Sequence, residues 1–215
     1  MNRATKIIVT SMGIALGIAG INHGFFETLQ GNQPTNTLII QAIGDVQQMW
    51  VHGTEEALTI IPNFLITGIL AILVSFAIMV WSVGFVDKKY GPTVFILLFI
   101  LLVLVGGGIG QIIFFTLAWA GATRINKPLT WWRKVLPENV RRVLAKVWPT
   151  SLFFGLLCFL IALEIAIFGI VPGVNDADQK LYICWSLLGI GLVAFLFTFM
   201  AGFAHDIQKQ IETGG

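Results

Sequence analysis

Residues 92–122 read PTVFILLFILLVLVGGGIGQIIFFTLAWAGA, an apolar run of 31 residues that four glycines interrupt at its middle. As one α-helix this run would be about 46 Å long, whereas the hydrocarbon core of a bilayer is about 30 Å thick. Each of the four glycines between positions 106 and 110 costs about 1 kcal/mol relative to alanine inside a helix. The run is therefore predicted to form two short helices, about 92–105 and 111–122, joined by a glycine-rich break.

The composition of the whole chain indicates a membrane protein. Its residues are 56% hydrophobic and 11% charged, less than half of the charged fraction, about 25%, that soluble domains have. A water-soluble globular protein is excluded, and because lipid offers no partners to free backbone groups, the spans are expected to be helices. Four further apolar segments are long enough to cross a bilayer: 7–26, 57–82, 149–172 and 181–204.

The predicted fold is therefore all-α, a polytopic integral membrane helical bundle that forms a single transmembrane domain over residues 1–215. It has four full spans plus the glycine-broken central pair, which makes six segments. The alternative is five plain spans, in which residues 92–122 form one helix.

The distribution of basic residues favours the broken pair. Arg3 and Lys6 come first, no Lys or Arg follows until residue 88, and seven lie between residues 124 and 146. Cytoplasmic loops carry the excess of Lys and Arg, so both termini and loop 123–148 are predicted to be cytoplasmic and loop 28–56 to face outward. Both ends of the broken pair then lie on one side. The net formal charge of +2 is too small to indicate a nucleic-acid partner.

Each long loop is expected to contain a short helix at the membrane surface. In the outer loop, 28–56, apolar residues recur at helical spacing between Ile39 and Trp50. In the basic loop, 123–148, an apolar strip within residues 140–147 lies among arginines and a lysine. This second helix is expected to rest on anionic headgroups, which makes membrane lipids the predicted partners.

A cluster of ionisable residues marks the predicted outer ends of the first two spans. His23 and Glu27 are four residues apart and therefore project from one face of a helix. His52, Glu55 and Glu56 follow at the entrance of the next span. Imidazole and carboxylate groups together bind zinc or another borderline cation, exchange protons, or hydrogen-bond one another. The spacing leaves all three uses open and completes no metal motif.

Three further polar residues are predicted to lie at a similar depth in the membrane. Glu164 is the one ionisable residue deep within a clear span, where a charge costs about 2.5 to 3.5 kcal/mol. Counting along the helices places Glu164, Asn63 and Gln111 in the middle or outer half of the bilayer, below His23. We therefore predict a polar cavity that opens outward. Small residues lie on the face of span 149–172 opposite Glu164, so which face of that helix packs inward stays open.

These observations favour binding or transport of an ion or a small amphipathic molecule in the polar cavity. A second hypothesis is an intramembrane enzyme, isomerase-like or metal-dependent, that uses the His23 and Glu27 cluster. A third is a structural or accessory subunit, whose glycine stripe on the first span, at positions 13, 17, 20 and 24, would be the partner surface. No cofactor is assigned, and self-association or a partner subunit stays open.

The enzyme hypothesis has one resemblance behind it. A HxxxE pattern at His23 and Glu27, an acidic residue that opens the next helix, and Gly110-Gln111 before an apolar helix occur in this order. In this respect the chain resembles the sterol-isomerase-like membrane fold over a minor part of its length. The resemblance implies a hydrophobic substrate and proton transfer at a carbon–carbon double bond.

Overall fold

The structure is a computed structural model that describes residues 1–213. In this part of the chain seven helices and one two-stranded hairpin follow one another. They are α1 (Arg3–Leu29), β1 (Ile39–Gln41), β2 (Glu56–Leu58), α2 (Phe64–Gly84), α3 (Gly91–Leu104), α4 (Ile112–Ala122), α5 (Thr130–Val135), α6 (Glu138–Phe168) and α7 (Ala177–Glu212). Helices α1, α2, α6 and α7 are long and apolar enough to span a membrane, which supports a membrane-embedded protein.

The central apolar run is broken, as the glycines predict. Helices α3 and α4 match the two predicted legs to within one residue at each end, and residues 105–111 between them are not helical. The backbone turns at Gly106 and Gly108, whose φ angles of 100° and 83° lie in the left-handed region that favours glycine.

The two ends of this helix pair that are far from the glycine break lie beside the start of α1. The residue before α1, Asn2, donates its backbone N–H to the Ile125 carbonyl at 2.7 Å, just beyond α4. Lys6 forms an ion pair of 3.1 Å with Asp87, just before α3. The glycine break lies at the other end of the pair, where the Gly106 N–H donates to the carbonyl of Leu58. The chain thus enters and leaves the pair at one end of the bundle.

The glycine stripe of α1 is covered by α2. A Cβ added at Gly13, Gly17 or Gly20 would overlap a side chain of α2, and one at Gly24 would overlap the backbone of Gly68. Small residues let two helices approach closely in this way. The stripe is therefore an intramolecular contact, and it is not free to bind another subunit.

The outer loop differs from the sequence-based expectation, because no helix forms between residues 30 and 63. Ile39–Gln41 pairs with Glu56–Leu58 as an antiparallel hairpin in which Ile40 faces Ala57. Two successive isoleucines favour a strand. The partner strand is distant in sequence, so helical spacing alone predicts the wrong element here.

The basic loop also differs in its boundaries, since the expected surface helix is continuous with the next span as α6. Pro149 lies inside α6 and lacks the N–H that would bond to the carbonyl of Ala145. The ring nitrogen Nδ1 of His205, on α7, lies 3.2 Å from that carbonyl oxygen and donates to it. This hydrogen bond compensates for the missing one and lets the helix continue through the proline.

Candidate ligand-binding cavity

A cavity of about 570 Å³ lies between α1, α4, α6 and α7, beneath the loop that joins β1 to β2. Aromatic and aliphatic side chains form most of its wall, among them Phe114, Phe159 and Leu188. The wall also includes Ile113 of α4 and Trp185 of α7, which are 54% and 65% exposed on the outer surface of the bundle. The cavity therefore reaches the surface between these two helices, where membrane lipid would lie.

The polar part of the cavity wall comes from the outer loop and the start of α4. His52, Glu55, Glu56 and Gln111 line it. Backbone hydrogen bonds hold the loop onto the glycine break: the Ile109 N–H donates to the Glu56 carbonyl at 3.1 Å. The break thus positions the two glutamates at the cavity as well as ending α3.

The glycines of the break are required by the polar residues of α1. A Cβ at Gly106 would overlap both carboxyl oxygens of Glu27, and a Cβ at Gly108 would overlap the imidazole ring of His23. Any other residue type would also be strained at these positive φ angles. The absence of side chains at positions 106 and 108 makes room for the Glu27 and His23 side chains inside the bundle.

His23 and Glu55 form a pair that links the buried cluster to the cavity. His23 Nε2 contacts a carboxylate oxygen of Glu55. The His23 side chain is 4% exposed and that of Glu55 is 40% exposed. Burial raises the pKa of Glu55, but the charge and hydrogen bond of His23 outweigh this effect and lower it below its usual value. Glu55 is therefore a carboxylate at neutral pH, fixed at one end by the imidazole.

Several buried polar atoms near this pair have no hydrogen-bond partner within residues 1–213. They are both carboxyl oxygens of Glu27, both amide atoms of Gln111 and Nδ1 of His23. The exposed fractions of these residues are 0%, 6% and 5%. Burying an unpaired polar group costs free energy, about 1 to 3 kcal/mol in mutational data, so these groups do not stabilise the fold. Unpaired buried polar groups are rare in native proteins, and a catalytic role or a bound ion or water molecule is a usual explanation.

The structure brings together most of the sequence-predicted site residues, but not all of them. Glu55, Glu56 and Gln111 line the cavity, His23 contacts Glu55, and Glu27 lies against Gly106 of the glycine break. His52 also lines it and contacts Asp178 of α7 at 2.9 Å.

Two predicted residues lie elsewhere. Asn63 caps α2, where its side chain accepts from the Ile66 N–H at 3.1 Å and donates to Asn32. Glu164 is exposed on the outer face of α6 and does not line the cavity. The inward face carries Gly155 and Ala162, which are the small residues opposite Glu164.

The sequence does not indicate the aromatic residues at the cavity. Trp50 donates its indole N–H to the Ala166 carbonyl of α6 at 3.0 Å and lines the cavity together with Trp185. A Cβ at Gly169 would overlap the Trp50 ring, so this glycine lets the indole cover the end of α6. The spacing of Trp50 within the outer loop carries no signal for this contact, which joins residues 116 apart.

Within residues 1–213, no group of three or more His, Cys, Asp or Glu side chains is placed to hold a metal ion. The arrangement instead offers two carboxylates, an imidazole and an amide beside a largely apolar space. These groups can hold the polar end of an amphipathic molecule or exchange a proton with it.

Comparison of the chain with protein-family models, with curated proteins and with solved structures finds no match.

Proposed function

We propose that this protein is a multi-pass membrane protein that binds a small amphipathic molecule in the cavity between α1, α4, α6 and α7. One observation carries the proposal: a largely apolar space of about 570 Å³ has carboxylates in its wall. Small-molecule sites typically enclose about 300 to 1,000 Å³, with mostly apolar walls and a few polar groups that fix orientation.

In the proposed arrangement the ligand enters from the lipid between Ile113 and Trp185. Its apolar part lies against Phe114, Phe159 and Leu188, and its polar group lies near Glu55. The basic residues around α5 favour a cytoplasmic position for that end of the bundle. In the proposed orientation the cavity lies in the outer leaflet, and α3 with α4 forms a re-entrant pair. Both termini are cytoplasmic in this orientation.

The test introduces large side chains into the cavity at two glycines where there is room for a side chain. Gly110 and Gly189 both line the cavity, and a Cβ at either would meet no atom within 4 Å. The double variant Gly110→Leu/Gly189→Phe therefore occupies ligand space without a clash with its first added carbon. Gly84, at the end of α2 and outside the cavity, also has no atom within 4 Å of an added Cβ, and Gly84→Phe is the matched control.

Binding is measured in phosphatidylglycerol nanodiscs with a dansyl probe that carries an undecyl chain and a terminal hydroxyl group. Energy transfer from tryptophan to dansyl reports the bound probe, and its saturable part separates the site from lipid partitioning. We expect saturable binding in the wild type and in Gly84→Phe, and a loss of at least about tenfold in affinity in the double variant. Equal saturable binding in the double variant, or none in the wild type, would refute the proposal.

The His23–Glu55 contact favours a second candidate function, an intramembrane acid–base enzyme. A carboxylate that accepts a hydrogen bond from an imidazole fixes the orientation of the ring, as a proton-transferring group requires. The two candidates differ in the fate of the ligand. A binding protein releases the molecule that it co-purifies with unchanged after incubation, whereas an enzyme returns it chemically altered, and mass spectrometry of extracted lipids distinguishes the two.

A further inference from the structure

We propose that the polar group of the ligand is a cation, specifically a protonated amine on an apolar chain. This inference rests on the proposed function and names the ligand class of the same cavity. It follows from the charges in the cavity wall, from a buried amide there, and from indole rings that line the same cavity.

Apart from histidine, the ionisable side chains that line the cavity and carry charge are all acidic. Glu55 and Glu56 line it, and no Lys or Arg of residues 1–213 does. The neighbours that face these groups are His23, which holds one oxygen of Glu55, and His52, which contacts Asp178. Each imidazole is thus matched by a carboxylate of its own, and Glu56 has no cationic partner among the described residues.

An unpaired amide in the same wall is the second observation. Gln111 is 6% exposed and lines the cavity, and neither its amide oxygen nor its amide nitrogen has a hydrogen-bond partner within residues 1–213. An ammonium group has three N–H donors and no acceptor, so it can serve a carboxylate and an amide oxygen at once. A ligand carboxylate would instead meet Glu55 and Glu56 with like charge.

Aromatic rings complete a site for a cation. Trp50 and Trp185 line the cavity, and the face of an indole ring attracts a cation within about 6 Å of its centre. Trp50 is held in place by its hydrogen bond to Ala166. Carboxylate, amide oxygen and indole together favour an ammonium over a hydroxyl and a hydroxyl over a carboxylate.

The experiment compares three dansyl probes that share the undecyl chain and end in a primary amine, a hydroxyl or a carboxylate. Saturable binding to the wild type in phosphatidylglycerol nanodiscs is corrected with the Gly110→Leu/Gly189→Phe variant, so that charge-dependent partitioning into the lipid cancels. We expect the amine to bind about tenfold more tightly than the alcohol and the carboxylate most weakly. Equal affinity of all three probes overturns the cation inference alone, and the absence of saturable binding overturns the proposed function.

Charge-neutralising variants identify the carboxylates that cause the preference for the amine probe. Glu56→Gln changes an exposed side chain, and Glu55→Gln changes the carboxylate that touches His23. In each, the ratio of alcohol to amine Kd should fall by about threefold or more. Glu164→Gln removes a carboxylate from the outer face of α6, outside the cavity, and should keep the wild-type ratio. A ratio that is unchanged in both cavity variants, or reduced equally in Glu164→Gln, overturns the inference.

A protonated amine has two sources in a membrane, an aminophospholipid headgroup or a free lipophilic amine. Phosphatidylethanolamine is therefore added to the nanodiscs in a second arm. Displacement of the amine probe by this lipid assigns the site to the headgroup, and its persistence assigns the site to a free amine. Both results support the cation site.

Discussion

Alanine at Gly106 should destabilise the protein far more than alanine at Gly110, although both glycines belong to the same break. At Gly106 the φ angle is 100°, and the added Cβ would overlap both carboxyl oxygens of Glu27. The left-handed conformation costs about 1 to 2 kcal/mol for a residue with a Cβ. Overpacking at a filled site adds about 1 to 3 kcal/mol. The free energy of unfolding should therefore fall by about 2 to 5 kcal/mol in Gly106→Ala.

Gly110 provides the matched control within the same segment. Its φ angle is outside the left-handed region, and no atom lies within 4 Å of an added Cβ. Gly110→Ala should therefore change the free energy of unfolding by less than about 0.5 kcal/mol. Reversible unfolding in mixed micelles, followed by tryptophan fluorescence, measures both variants against the wild type.

A double variant separates the two contributions at Gly106. In Gly106→Ala/Glu27→Ala the overlap with the carboxyl group is gone and the backbone strain remains. Gly106→Ala should then cost about 1 to 2 kcal/mol in the Glu27→Ala background, less than in the wild type. Equal destabilisation by Gly106→Ala and Gly110→Ala would refute the argument that the break is shaped to fit Glu27.

Two contacts at the end of the bundle that holds the start of α1 and the end of α7 give further predictions. His205→Phe keeps a ring at this position but removes the donor to the Ala145 carbonyl, and should lower the free energy of unfolding by about 1 kcal/mol. In a Pro149→Ala background the backbone N–H returns, so chemical unfolding should show a smaller effect of His205→Phe. Burial raises the pKa of Asp87, but the hydrogen bond and charge of Lys6 lower it below its usual value of 3.8. A lowered pKa stabilises the folded state above pH 3.8 and ceases to do so as the pH falls through the folded value. Lys6→Met should therefore cost about 0.5 to 1 kcal/mol at pH 6 and progressively less as the pH falls below 3.8, and a cost that does not fall with pH would contradict the ion pair.

The sequence predicts the broken helix pair well, because its causes are local. Four glycines in five positions end a helix wherever they occur, and the positions of Lys and Arg report which loops share a side. The legs 92–105 and 111–122 therefore agree with α3 and α4 to within one residue. The spacing of small residues along α1 likewise defines a surface for close approach, although the sequence does not show that α2 is the element that covers it.

Contacts between distant segments are not predicted in this way. The pairing of β1 with β2 joins residues 17 apart at its centre, Ile40 and Ala57, and replaces the expected helix. The direction of Glu164 depends on which face of α6 meets α7, and both faces are apolar enough to face either lipid or protein. The small residues Gly155 and Ala162 determine the inward face, because they allow α7 to approach. Glu164, although polar and within a span, therefore lies outside the candidate site.

The break and the candidate site are one feature of the molecule. Glycine at position 106 ends α3, turns the chain back, and leaves the space that the Glu27 carboxyl group occupies. The carbonyls of Glu56 and Leu58 accept hydrogen bonds from the same break, so the loop that carries Glu55 is held directly above His23. A helix pair that only filled space would bury apolar groups here. The glycines accommodate Glu27 and His23, two polar side chains whose burial costs free energy. We therefore infer that the break between α3 and α4 serves the candidate site.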